Sequence, residues 1–220
     1  MKQLHFAVIL SGCGNKDGAE IHESVLTLLA IDRAGGQYQC FAPDVAQHHV
    51  TNFLTNEPIK EGRNVLLESA RIARSDIKPL SAFKAEDFDL LVIPGGMGVA
   101  YNLCTFAADG EKMTVNADVA RAVKSMHTAR KPIGALCIAP VLLAKLVPGV
   151  SLTFGKDEKV GLIAGQWGAR TENTCATDIV IDRKNKVVTT PCYMLKARIS
   201  ELAEGIDKLV QALLQMANPA

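Results

Sequence analysis

The sequence predicts an α/β protein, a three-layer sandwich in which a mostly parallel central sheet lies between helices. Three observations predict it. Short apolar runs of strand length alternate with segments of helical periodicity. The runs are apolar along their length, as strands covered on both faces of a parallel sheet are. Two of them end in glycine clusters, Gly12-Cys13-Gly14 and Pro94-Gly95-Gly96. Open sheets of this kind place ligands at the carboxyl ends of their strands.

Each element follows from local pattern. Residues 4–11 form an apolar run stopped by Gly12 and predict a first buried strand. Over 20–34, Ile21, Val25, Leu28, Leu29 and Ile31 recur at helical spacing, and Gly35-Gly36 closes the segment as a C-terminal cap. A second strand at 37–42 ends at Pro43-Asp44. A polar stretch leads to a helix at 64–73, and 89–93 makes a third strand with a glycine-rich exit. A helix at 116–129 precedes a fourth strand at 132–136, and 138–145 reads as the next helix, with Cys137 at the junction. Further on, 179–182 and 186–190 flank the polar turn Arg183-Lys184-Asn185 as an antiparallel hairpin, and a long amphipathic helix covers roughly 197–216. No repeat, low-complexity tract or linker interrupts the pattern, so residues 1–220 read as one domain.

The 24 basic and 23 acidic residues are spread along the 220-residue chain and leave a formal charge of +1. That balance gives no electrostatic footprint for nucleic acid or an anionic membrane and makes a small molecule the expected partner. Met1-Lys2-Gln3-Leu4-His5 runs into an apolar segment too short to span a bilayer and without a small-residue cleavage site, which predicts a cytoplasmic location. The six cysteines (Cys13, Cys40, Cys104, Cys137, Cys175, Cys192) are dispersed, with no C-x-x-C pair and no zinc-like spacing. They predict reduced thiols rather than a disulfide framework or a metal site.

Cys137 is the residue whose setting points to chemistry. A free cysteine is commonly a small apolar residue packed in the core. A cysteine just after a buried strand and at the start of a helix instead meets unpaired backbone N–H groups and the positive end of the helix dipole, which favour its thiolate. The N–H of Cys137 itself or of Ile138, together with that of Gly96, could then donate to an oxyanion. In the acidic group Asp17, Glu20 and Glu23, the first two are explained by the helix N-terminus alone. Glu23, one turn beyond Glu20, points back towards Cys137 if the first and fourth strands are near neighbours. His22 and His127 read as surface or packing residues, His48-His49 lacks a set of metal partners, and Cys13 reads as a turn filler. Trp167 and Tyr193 carry no assigned chemistry.

Gly18-Ala19-Glu20-Ile21-His22-Glu23, Val92-Ile93-Pro94-Gly95-Gly96 and Gly134-Ala135-Leu136-Cys137-Ile138-Ala139-Pro140 resemble the three motifs of the ThiJ/PfpI superfamily, which is class I glutamine amidotransferase-like. Within it, residues 9–18, 63–72 and 188–195 are similar to the ElbB-type branch, named for enhancing lycopene or isoprenoid production. The resemblance implies a flavodoxin-like fold with a nucleophile elbow, in which Cys137 is the nucleophile and Glu23 its carboxyl partner. It places Gly96 and Ile138 as oxyanion donors, with Gly95 beside them on the substrate side. It implies a cofactor-independent glyoxalase that converts glyoxal to glycolate, and methylglyoxal to lactate, through a cysteine hemithioacetal, and a homodimer. Related eukaryotic proteins are mitochondrial. Protease-like members carry histidine directly after the cysteine, where this chain has Ile138, so the resemblance does not extend to a Cys-His peptidase. A redox-sensing or regulatory binding protein with an oxidisable Cys137 is the alternative. An amidotransferase supplying ammonia ranks below both, since no C-terminal His-x-Glu pair is evident.

Overall fold

Residues 3–217 are described by a computed structural model. Met1 and Lys2, on which part of the amino-terminal reading rests, lie outside the described residues. The first half of the sheet comprises β1 (His5–Ile9), β2 (Gln37–Ala42), β3 (Ile77–Pro79) and β4 (Leu90–Ile93). The second half adds β5 (Ile133–Leu136), β8 (Val180–Asp182) and β9 (Val187–Thr190), while β6 (Ser151–Leu152) and β7 (Arg170–Thr171) pair separately. The strand order is β3-β2-β1-β4-β5-β9-β8, all parallel except that β8 runs antiparallel to β9. Phe6 of β1 stands opposite Tyr38 of β2 on one side and Leu90 of β4 on the other. The chain therefore leaves β1 in one direction and resumes at β4 in the other, which makes the β1/β4 boundary a topological switch point.

The connections cover both faces of the sheet. Helix α1 (Ile21–Arg33) packs with α7 (Ile199–Ala217) and with α2 (Val65–Ile72), which covers β2 and β3, and α4 (Ala117–Thr128) packs with α5 (Pro140–Leu146) against β4 and β5. The short α3 (Phe106–Asp109) and α6 (Glu158–Gln166) lie near the carboxyl edge. Residues on β1, β4 and β5, from Phe6 to Leu136, are buried in one continuous apolar core, as the apolar runs require. Side-chain and glycine caps close the helices. Asn64 and Asn116 accept N–H groups of α2 and α4, and Gly35 takes the left-handed conformation (φ 73°) that ends α1.

The structure departs from the sequence reading at several places. The helix expected from residue 138 begins at Pro140, because Cys137 is left-handed (φ 56°) and residues 137–139 form a turn. Strand β3 has three residues, too few to show a pattern. Helix α6 carries Gly161 and Gly165, which read as breakers in a sequence. Val99–Leu103 forms a π-helical turn, a form common at functional sites and without a sequence signature.

Candidate active site

Three strand exits converge at the switch point. The loop after β1 leads to α1 and carries Glu23 in its first turn, the turn after β4 carries Gly95 and Gly96, and the turn after β5 carries Cys137. One strand, β4, separates β1 from β5, and the Glu23 side chain crosses its end. Glu23 is fully buried (0% exposed). Its Oε2 accepts the Gly95 N–H (3.0 Å) and its Oε1 the Tyr193 N–H (3.3 Å), and its carboxyl lies beside the Cys137 thiol. Glu20, the N-cap of α1, accepts the Glu23 N–H through its carboxylate (2.7 Å) and so fixes the backbone from which Glu23 projects.

Glycine is required between the two reactive groups. A Cβ on Gly95 would fall 2.5 Å from the Cys137 Cβ and 2.6 Å from Glu23 Oε2. Gly96 adopts φ 99°, a conformation that side chains disfavour.

Cys137 sits on a strained elbow, with its own N–H donating to the Thr190 carbonyl (3.0 Å). That N–H is therefore taken by the sheet and is not an oxyanion donor. The N–H groups of Gly96 and Ile138 both approach the sulfur, and among the described residues neither donates to a backbone oxygen. Gly95, expected on the substrate side with them, is instead turned inward to Glu23 and does not line the cavity. The cavity, of about 730 Å³, opens over Cys137 and is lined by Gly96, Ile138, Glu20, His22 and Tyr193 among others, while Met97, Phe106 and Val160 supply apolar wall.

The electrostatics differ from the expectation of a dipole-activated thiolate. Burial, with a smaller contribution from Glu20, raises the Glu23 carboxyl from its ordinary 4.5 to about 8, so it holds its proton at neutral pH. Desolvation is the larger cause. Burial also pushes the Cys137 thiol up, against the pull of the Gly96 and Ile138 N–H groups. Repulsion from Glu23 adds to that rise only while Glu23 is ionised, so a protonated Glu23 removes it. Helix α5 has only seven residues, and its dipole begins three residues after the sulfur.

Other candidates fall away from the site or join it unexpectedly. Cys13 is partly exposed outside the cavity, and burial and the nearby Glu68 raise its thiol. Asp17 serves no helix end: nearly buried, it accepts the Thr51 N–H (2.7 Å) within its loop. His127 lies 3.4 Å from the Asn185 side chain, and His48 and His49 pack on Tyr101. No group of three or more metal-ligating side chains occurs among the described residues. His22, read as a surface residue, lines the cavity and meets the Tyr193 hydroxyl. No sequence signal joins residue 193 to residues 22 and 23; the contact exists because the turn after β9 folds over the start of α1.

A parallel α/β sheet with a cysteine elbow, paired through a glycine exit to a buried acid, defines a class I glutamine amidotransferase-like protein. The chain belongs to the DJ-1/PfpI family, whose description matches residues 16–191. The ES1 protein homolog, mitochondrial, of Rattus norvegicus is 44% identical over 96% of this chain and 83% of its own. The glutamine amidotransferase-like class 1 domain-containing protein 3, mitochondrial, of Homo sapiens is 43% identical over 96% of this chain and 82% of its own. Among solved structures, an isoprenoid biosynthesis protein with amidotransferase-like domain from Ehrlichia chaffeensis superimposes with a TM-score of 0.90. It is 34% identical, over 96% of this chain and 99% of its own. No helix among the described residues is long and apolar enough to cross a membrane.

Proposed function

We propose that the protein is a cofactor-independent glyoxalase that converts glyoxal to glycolate, and methylglyoxal to lactate. The observation that carries this reading is the fully buried Glu23 carboxyl set beside Cys137 across Gly95, at a cavity where two N–H groups approach the sulfur. The Cys137 sulfur, its own proton lost to solvent, bonds to one aldehyde carbon. Glu23 gives its proton to the oxygen of that aldehyde, producing a hemithioacetal held by the Gly96 and Ile138 N–H groups. The Glu23 carboxylate then takes the hydrogen from the sulfur-bearing carbon and returns it to the second carbon through an enediol. The product is a hydroxyacyl thioester, which water cleaves to the hydroxy acid and the free thiol, and Glu23 regains from solvent the proton it gave to the substrate. A small dicarbonyl substrate, a homodimer and a cytoplasmic setting belong to the same proposal. The six free cysteines support a reducing compartment. A link to isoprenoid biosynthesis rests on the resemblance to the ElbB-type branch and on the name of the Ehrlichia protein.

The test is product formation from glyoxal in metal-free, glutathione-free buffer by wild type, Cys137→Ala and Glu23→Gln. Turnover in the range of about 1 to 1,000 per second, abolished in both variants, is the expected result. Unchanged turnover in either variant removes the assigned role. A second reading, a thiol sensor, draws on the N–H groups that approach the sulfur itself and would equally stabilise an oxidised, anionic sulfinate. Peroxide titration followed by mass analysis supports it if Cys137 oxidises selectively and no aldehyde is turned over.

A further inference from the structure

The mechanism above leaves one oxygen of the substrate without a partner. The first carbonyl oxygen meets Gly96 and Ile138, but the second must become a hydroxyl as Glu23 moves a hydrogen between the carbons. The polar side chains on the cavity wall are Asn15, Glu20, His22, Asp157 and Tyr193. Glu20 and Asp157 are occupied as helix caps, accepting the N–H groups of Glu23 and Val160, and their carboxylates would repel a carbonyl oxygen.

Tyr193 and His22 are placed differently. The Tyr193 hydroxyl lies 2.9 Å from His22 Nδ1, with ring centroids 5.9 Å apart. Two backbone bonds register the tyrosine against the reacting groups. Its own N–H holds Glu23 Oε1 at 3.3 Å, and three residues earlier the Thr190 carbonyl accepts the Cys137 N–H at 3.0 Å. The phenol is therefore tied through backbone to both members of the pair. Partial burial, with Glu20 nearby, raises its pKa and keeps it a proton donor.

Resting on the glyoxalase reading, we propose that Tyr193 is a further catalytic residue, which donates its hydroxyl proton to the second carbonyl oxygen of a 1,2-dicarbonyl substrate, and that His22 is the positioning residue that aims it. The step balances. As Glu23 removes the hydrogen from the sulfur-bearing carbon, the second oxygen gains the Tyr193 proton and the enediol forms. As Glu23 protonates the second carbon, the first oxygen releases its proton, which returns to the phenolate.

The test uses a dicarbonyl that adds to the thiol and goes no further. Methyl pyruvate qualifies, because its ketone carbon bears no hydrogen for Glu23 to move; propanone is the comparator with a single carbonyl. Each is scored by its protection of Cys137 from a methanethiosulfonate reagent, read by peptide mass mapping. In wild type, methyl pyruvate protects. In Tyr193→Phe its half-protecting concentration rises about tenfold, the worth of one lost hydrogen bond near the upper end of the usual range. Protection by propanone and the unprotected labelling rate stay constant. His22→Asn shifts the methyl pyruvate value in the same direction by less, and it decides the matter if Tyr193→Phe alters the unprotected rate. Equal protection by methyl pyruvate in wild type and both variants overturns this inference while leaving the glyoxalase reading intact. If neither carbonyl protects wild-type Cys137, hemithioacetal chemistry fails and this inference fails with it.

Discussion

The Glu23 carboxyl and the Cys137 thiol lie side by side inside the core, across the end of a strand that belongs to neither. Glu23 reaches that position from the first turn of α1, and the Gly95 and Tyr193 N–H groups occupy its two oxygens.

The burial of Glu23 carries a pH dependence of stability. The Glu23 carboxyl is raised from 4.5 to about 8 in the folded chain, so between those values the folded protein holds a proton that the unfolded one has released. Stability contributed by this group therefore falls as pH rises through the window and levels off above the folded value. The slope is at most about 1.4 kcal/mol per pH unit for one proton. Urea denaturation across the window should show wild type losing stability and Glu23→Gln losing less. Parallel curves would mean that Glu23 does not titrate in this way.

Gly95 tests the closeness of the pair. A methyl group there meets the Cys137 Cβ and Glu23 Oε2, both inside contact distance. Gly95→Ala should destabilise by about 1 to 3 kcal/mol, the usual cost of overpacking, and should slow the alkylation of Cys137. Thermal denaturation and labelling kinetics measure the two effects. An alanine variant with wild-type stability would show that the elbow can yield.

How much of this was legible in the sequence depends on whether local pattern or chain crossing determines each feature. The buried strands β1, β4 and β5 and the helices α1, α2 and α4 announce themselves, because an apolar run or a 3.6-residue period is a local property and Asn64 and Asn116 mark where helices start. The motif around Cys137 was legible for the same reason, and so was the pairing of Glu23 with Cys137, through resemblance. The fate of individual N–H groups was not. Whether the Cys137 N–H is free depends on Thr190, and whether Gly95 faces substrate depends on Glu23, both long-range partners. Tyr193 escaped because its role arises from a turn meeting the start of a helix distant in sequence.

The elbow itself stores strain that a pair of variants can expose. Cys137 is left-handed at φ 56°, where a Cβ is unfavourable and glycine is not. Cys137→Ala and Cys137→Gly both lack the thiol and differ by one methyl group. The glycine variant should be the more stable by about 1 kcal/mol, measured by chemical denaturation. The opposite order would show that the turn relaxes once the sulfur is gone.

Asn102 links the cavity wall to the loop that supports Gly96. It lies on the π-helical turn Val99–Leu103, and its amide Nδ2 donates to the Ser11 and Asp17 carbonyls, each at 2.9 Å, while its Oδ1 accepts the His48 N–H. The same loop accepts the Met97 N–H at Asn15 and the Gly98 N–H at Gly18, so the turn that presents the Gly96 N–H is fastened on both sides. Asn102→Ala leaves buried carbonyls unpaired and should cost about 2 kcal/mol or more. If the loop sets the direction of the Gly96 N–H, the variant should also lower the reactivity of Cys137 towards aldehydes at temperatures where the fold is intact. Circular dichroism separates the two effects. Undiminished reactivity in a destabilised variant would confine Asn102 to the fold and leave the Gly96 N–H to be positioned by β4 alone.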